Sequence, residues 1–149
     1  MRNAVRERAL RLLAQREHTR QELSTRLAAS AESAELLEAL LDELTASGLL
    51  ADARYAAARF HARSTRLGDA RLAYELRSKG VSVELISATL ANGEDELTRA
   101  RRVWQRRFGS QPTVAGDTAG RARQIRFLAG RGFSAETIRR LLRTTLEDD

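Results

Sequence analysis

The chain has 149 residues, 42% of them hydrophobic, 31% charged and 5% aromatic, with a single proline and a formal net charge of +6. That composition excludes disorder throughout and leaves room for one domain or a few small repeats, with cores built from Leu, Ala, Val and Ile. The absence of cysteine excludes disulfide staples, thiolate metal sites, iron–sulfur ligation and a cysteine nucleophile.

The first residues, Met1-Arg2-Asn3-Ala4-Val5-Arg6-Glu7-Arg8, carry charges every few positions and no apolar leader region. No run approaches the roughly 18 apolar residues of a spanning helix. The chain therefore reads as soluble, cytoplasmic and independent of membrane. Val5, Ala9, Leu12 and Leu13 fall at i, i+4, i+7 and i+8, which predicts an amphipathic helix over 3–16. Thr19-Arg20-Gln21-Glu22 is a capping box that opens a second helix with Leu23 and Leu27 inward. A third starts at Ser33, runs through Leu37, Leu40, Leu41 and Leu44, and stops at Gly48.

A second set of three follows. One helix starts at Asp52 and carries Tyr55, Ala56 and Phe60. After a break at Gly68, a helix capped by Asp69 runs to Lys79, and another runs from Ser82 to about Ala91. The third set has a helix from about Glu94 to Phe108, a looser stretch from Gly109 to Gly116 that holds Pro112, and helices at about 118–130 and 135–146. No segment alternates with period two, so no strand is expected.

One pattern recurs three times. Ser33-x-Glu35-x-Leu37-x-x-x-Leu41, Ser82-x-Glu84-x-Ile86-x-x-x-Leu90 and Ser134-x-Glu136-x-Ile138-x-x-x-Leu142 share a single form at near-equal spacing. Before the second and third copies, Leu76 and Leu128 precede Gly80 and Gly132 by four residues, with Lys79 and Arg131 directly before the glycine and Val81 and Phe133 directly after it. The physics is a helix that ends at a left-handed glycine, an apolar residue folded over that end, and a serine cap with a glutamate near the positive pole of the next helix. The expected fold is all-α, with three helix-turn-helix-like three-helix repeats at 1–50, 51–92 and 93–149. A repeat of this size is too small to be stable without neighbours.

Charge is concentrated at one end. Residues 1–50 sum to −1, residues 51–98 to zero and residues 99–149 to +7, and 25 of the 26 basic side chains are arginine. A one-ended positive field attracts polyanions or acidic protein surfaces, and the planar guanidinium suits phosphate and carboxylate alike. Arg59, Arg63 and Arg66 fall on one helical face at i, i+4 and i+7, and Arg99, Arg102 and Arg106 repeat that geometry. Arg121, Arg123 and Arg126, then Arg139, Arg140 and Arg143, flank the apolar positions Ile125, Leu128, Ile138, Leu141 and Leu142.

Catalytic constellations are not legible. Gly130-Arg131-Gly132 sits at a helix end and is not a phosphate loop. His18 and His61 lack metal-type spacing and read as surface or interface residues. Asp42-Glu43 and Glu94-Asp95-Glu96 are ordinary acids of a helix surface and a helix start. Trp104 and Phe108, at i and i+4, offer a stacking platform for bases but share a side with Leu97 and Ala100, which reads as core. No enzyme, metal or cofactor is expected.

Gly48-Leu49-Leu50-Ala51-Asp52-Ala53-Arg54-Tyr55-Ala56, then Phe60-x-x-Arg63, Gly68, Leu72, Leu76-x-x-Lys79-Gly80-Val81, and Phe127-Leu128-x-x-Arg131-Gly132-Phe133-Ser134, in this order and spacing, resemble the RecX family of bacterial recombination regulators. The likeness runs from about Ala9 to Leu142. It implies tandem three-helix units in an elongated, curved molecule; a monomer is expected. It also implies a modulator, usually an inhibitor, of the RecA recombinase, which binds RecA and its filament on single-stranded DNA. Some members of the family contact single- or double-stranded DNA directly. Charge and resemblance together direct contact with RecA or DNA to Arg59, Arg63, Arg66, Lys79, Arg123, Arg126, Arg131, Arg139, Arg140 and Arg143. Two other readings stay open: a stand-alone helix-turn-helix DNA-binding protein, such as a repressor, and a metal-dependent nuclease.

Overall fold

The computed structural model describes residues 2–110 and 116–147. The described residues form an all-α repeated fold, with helices α1 (Arg2–Gln15), α2 (Arg20–Leu27), α3 (Ala34–Ala46), α4 (Asp52–Arg63), α5 (Asp69–Ser78), α6 (Val83–Asn92), α7 (Glu96–Phe108), α8 (Thr118–Gly130) and α9 (Ala135–Glu147). Each expected helix is present. Pro112, with the middle of the looser stretch, lies outside the described residues.

The punctuation is the same three times over. Gly48, Gly80 and Gly132 have φ of 82°, 89° and 91°, in the left-handed region that disfavours a Cβ. After each of them, the next amide donates back five residues: Leu49 to the Leu44 carbonyl, Val81 to Leu76 and Phe133 to Leu128. The glycine amides donate to Thr45, Arg77 and Ala129, which completes the Schellman pattern and closes off the last carbonyls of α3, α5 and α8. The serine caps form as well. Ser33, Ser82 and Ser134 Oγ accept from the amides of Leu36, Leu85 and Thr137 at 3.1, 3.2 and 3.1 Å.

Chain packing divides into two compact units, Met1–Ala58 with Leu76–Thr89, and Arg59–Glu75 with Leu90–Asp149. In the first unit, α1, α2 and α3 bury Val5, Ala9, Leu23, Leu27, Leu37, Leu41, Leu44 and Leu50 against one another, and Tyr55, Ala56, Leu76, Val81 and Ile86 are buried too. The capping box of α2 is complete: Glu22 N–H donates to Thr19 Oγ1 at 3.0 Å, and Thr19 N–H donates to Glu22 Oε1 at 3.1 Å. Thr19 Oγ1–H then donates to the Lys79 carbonyl at 2.6 Å. Asp52 accepts the Arg20 amide at 2.9 Å, so it serves the start of α2. His18, expected at a surface or interface, is instead 2% exposed, with Nδ1 3.0 Å from the Arg16 carbonyl. The tight turn into α2 folds the ring inward.

In the second unit, Ala100, Val103, Leu128, Phe133, Ile138, Leu141 and Leu142 form the core of α7, α8 and α9. Phe60, Leu67 and Leu72 form a smaller cluster with Leu90 beside it. Two glycines bring main chain against main chain here. Gly68 N–H donates to the Arg131 carbonyl at 2.8 Å, and Ala70 N–H donates to the Gly132 carbonyl at 3.1 Å. A Cβ on Gly68 would lie 2.4 Å from the backbone of Gly132, and one on Gly132 would lie 2.7 Å from the Arg71 nitrogen.

Two predictions follow from these local geometries. Gly48→Ala meets nothing within 4 Å and is expected to cost only the left-handed penalty of about 1–2 kcal/mol. Gly132→Ala adds a backbone collision and is expected to cost at least about 1 kcal/mol more, measured as the difference in urea midpoints. The second concerns Glu22, whose carboxyl sits below the ordinary value. Burial pushes it up, but the Arg16 side chain, the Thr19 amide and the Lys79 charge together outweigh burial. A carboxyl with a lowered folded pKa contributes stability that is present above its ordinary value near 4.5 and is lost as pH falls through its folded value. Glu22→Gln should therefore flatten the acid limb of a stability-versus-pH curve below that value and leave the curve's shape near neutrality unchanged.

Candidate functional site

The sequence presents arginines as stripes, and the fold sorts them into those that hold the protein together and those that face outward. Arg99 belongs to the first class. It is 1% exposed, with Nε donating to the Glu94 carbonyl at 2.9 Å and Nη1 to the Leu67 carbonyl at 2.6 Å. The same Nη1 lies 3.4 Å from the Ser64 carbonyl, Nη2 pairs with the Asp69 carboxylate, and the guanidinium rests 5.2 Å over the Phe60 ring. Arg102 is forked onto Glu94 at 2.8 Å through both nitrogens, and Arg106 donates to the Thr65 carbonyl at 2.5 Å. The Arg99, Arg102 and Arg106 stripe is thus satisfied within the second unit and does not form an open face for a polyanion.

The same interaction breaks the Arg59, Arg63 and Arg66 stripe. Helix α4 stops at Arg63, and the carbonyls of Ser64 and Leu67, in the turn that follows, point to Arg99. Arg66 lies in that turn, off the α4 face, and is exposed. Arg63 is forked onto Glu75 at 2.8 Å by two bonds, and Arg59 is half-buried. Asp69, expected as the cap of α5, is instead its first residue. Its amide donates to Glu96 Oε2 at 2.6 Å, and its carboxylate turns to Arg99. Burial holds the Asp69 carboxyl above its ordinary value; the Arg99 charge pulls it down and the Glu96 charge pushes it up. Glu96 also accepts from Ser134 Oγ at 3.0 Å and from Thr137 Oγ1 at 2.6 Å, so one carboxylate serves the starts of both α5 and α9.

The remaining sequence candidates are outward. In the first unit, Lys79 is exposed, its Nζ 3.8 Å from Glu22 Oε2. In the second unit, Arg139, Arg140 and Arg143 are exposed along α9 while Ile138, Leu141 and Leu142 are buried. Arg123 and Arg126 are exposed on α8. Together with Arg107, Phe108 and Phe127 they line an open cleft of about 380 Å³. Phe108 and Phe127 meet edge to face at 5.5 Å, Arg107 stacks 5.5 and 5.6 Å over their two rings, and Arg131 lies 5.1 Å over Phe127.

Arg107 and the role of Phe127 were not singled out by pattern reading. The faint signal was the Arg-Phe dipeptide repeated at 107–108 and 126–127. Trp104 is half-buried at the core of this unit, with Nε1–H donating to Gln124 Oε1 at 2.9 Å, and Phe108 is buried. The core reading of this pair therefore holds over a free stacking platform. Ile125 is 39% exposed. Among the described residues, no three His, Asp or Glu side chains gather as a metal site, and no helix is long and apolar enough to cross a membrane.

Residues 52–90 match the model of the second three-helix domain of RecX, and residues 94–142 that of the third. The regulatory protein RecX of Chromobacterium violaceum is 44% identical over 146 residues, covering 98% of this chain and 93% of its own. That of Leptothrix cholodnii is 45% identical over 141 residues, covering 94% and 88%. The crystal structure of RecX from Lactobacillus salivarius superposes with a TM-score of 0.83 at 16% identity, over 97% of this chain and 96% of that one.

Replacing Arg99 by alanine leaves a half-buried carboxylate and three carbonyls without their donor, and is expected to destabilise the second unit by about 2–4 kcal/mol. Arg99→Lys should recover little of this, since one ammonium cannot span the four acceptors. Thermal unfolding followed by circular dichroism checks both; Arg102→Ala, at the surface, should leave the midpoint nearly unchanged.

Proposed function

We propose a function from one premise: the chain belongs to the RecX family of regulatory proteins. It acts without catalysis, in the cytoplasm, as a modulator of the RecA recombinase. It binds RecA and RecA filaments on single-stranded DNA and restrains their ATPase, strand-exchange and co-protease activities during DNA repair and the SOS response. It works as a monomer of three three-helix repeats, 1–50, 51–92 and 93–149. The contact is made by outward basic side chains: Arg123, Arg126, Arg131, Arg139, Arg140 and Arg143, with Lys79, Arg59, Arg63 and Arg66 contributing.

The observation that carries this reading is identity of 44–45% to regulatory proteins named RecX across nearly the whole chain. Electrostatics supports it. The +7 of residues 99–149 is only partly consumed by internal pairing, so a cationic surface is left for a polyanionic filament. A helix that ends at glycine and leads into a serine-capped helix also suits a stand-alone reader of duplex DNA, and the two readings separate by specificity. A repressor prefers its site by roughly a thousandfold or more, whereas a filament modulator binds DNA weakly, without sequence preference and with strong salt dependence.

Titrating the protein into RecA on single-stranded DNA is expected to lower ATP hydrolysis and shorten filaments, as read by a coupled ATPase assay and electron microscopy. An unchanged rate and length at several-fold molar excess would end the proposal. Charge reversal of Arg139, Arg140 and Arg143 together is expected to weaken filament association at least roughly tenfold, since each loses an attraction and gains a repulsion. Helicity by circular dichroism should remain unchanged.

A further inference from the structure

We infer that the cleft between α7 and α8 is a binding site for one phosphodiester of a single-stranded nucleic acid, held by Arg107, Arg123 and Arg126. The site deepens the proposed function and rests on it for the choice of nucleic acid over another polyanion. Its geometry stands separately. From Arg106 to Arg131 the sequence has six arginines and one acid, Asp117, and that acid is engaged with the Gly120 amide at 2.9 Å as the cap of α8. None of Arg107, Arg123, Arg126 or Arg131 makes an ion pair among the described residues. Arg63, Arg99 and Arg102 in the same unit are each paired with a carboxylate. Like charges placed together around one cleft repel, and an anion in their midst removes that repulsion.

The arginine at the centre is also held in place. Arg107 lies over both phenylalanine rings, and the ring of Phe127 carries Arg131 as well. These contacts hold the guanidinium beside the rings, so less side-chain freedom is lost when an anion arrives. A phosphodiester offers two unesterified oxygens to such forks. An opening of about 380 Å³ is at the small end of ligand clefts and admits one nucleotide, while the body of a duplex would remain outside. Clustered cationic side chains hold single strands through their phosphates, without regard to sequence.

The test uses the full chain and a fluorescein-labelled oligodeoxythymidine of about 15 nucleotides, read by anisotropy over a salt series. Arg123→Gln with Arg126→Gln is expected to weaken binding roughly tenfold and to reduce the slope of log affinity against log salt by about 1.4, two contacts at about 0.7 each. Phe127→Leu, which removes the floor under Arg107 and Arg131 but keeps an apolar side chain, should weaken binding about threefold. Replacing Arg139, Arg140 and Arg143 by glutamine should change it less than the cleft pair does. Both arginines of the cleft pair are exposed, so helicity should persist. If it did not, Arg123→Lys with Arg126→Lys gives the same reading, with charge kept and affinity down severalfold.

An unchanged affinity and slope in the cleft pair, or an equal loss in the α9 triple, would overturn the site. So would tighter binding of a polyglutamate peptide than of the oligonucleotide, or full displacement by inorganic phosphate at matched ionic strength. A wild-type protein that ignores RecA but binds the oligonucleotide through the cleft would remove the proposed function and keep the site. One that restrains RecA while its oligonucleotide binding ignores the cleft would remove the site alone.

Discussion

The second unit depends on a single buried cation. Arg99 arises in the first turn of α7 and reaches the chain at three places: its own entry turn at Glu94, the end of α4 at Ser64 and Leu67, and the start of α5 at Asp69. Burying a guanidinium is costly unless each of its donors finds an acceptor. Here the fork meets three carbonyls and a carboxylate, with the Phe60 ring beneath it. Helix α4 does not end in the Schellman motif that closes α3, α5 and α8, and the cation supplies what that motif supplies there, a partner for carbonyls that a helix end would otherwise leave unpaired.

From that constraint follows a division of labour among arginines. Those near the start of α7 turn inward or pair with neighbouring acids. Those past the middle of α7 and along α8 pair with no acid among the described residues, because the sequence from Arg106 to Arg131 has almost none. Two residues of α7 only eight apart, Arg99 and Arg107, thus have opposite roles: one is sealed under the α4 turn, and the other lies over two rings at an open cleft. The partition matters for a regulator that acts by binding. Charges consumed within the fold set its stability and those left over set what it attracts, so the two properties can change independently.

The helices and their ends were readable in advance because their causes are local. A serine that accepts an amide three residues on, or a glycine whose neighbour donates back five residues, leaves a mark within a few positions of sequence. Ser33, Ser82 and Ser134 with Gly48, Gly80 and Gly132 carry most of that legibility. The site was less readable. An arginine at helical spacing reads the same whether solvated or buried, and what decided Arg99 was a turn some 30 positions earlier. Arg66 left its stripe for the same reason, since the helix that would have carried it stops at Arg63. Asp69 was placed correctly at a helix start, but its role passed to Glu96, from 27 residues away. His18 fell on the wrong side of the surface because spacing gives a face and not a depth. The α7–α8 cleft exists only once Phe108 and Phe127 meet, and two isolated Arg-Phe dipeptides do not announce that.

The seam between Gly68 and Gly132 is made of peptide groups alone. Amides and carbonyls look alike under every side chain, so this join is indifferent to the chemistry of the residues around it. The exposed positions of the adjoining turns, Thr65, Arg66 and Ala129, are therefore free to drift in charge without loosening it, provided that two positions stay bare. A lineage could retune the outward character of this unit extensively, and exchange one binding partner for another, while the joint beneath kept its geometry.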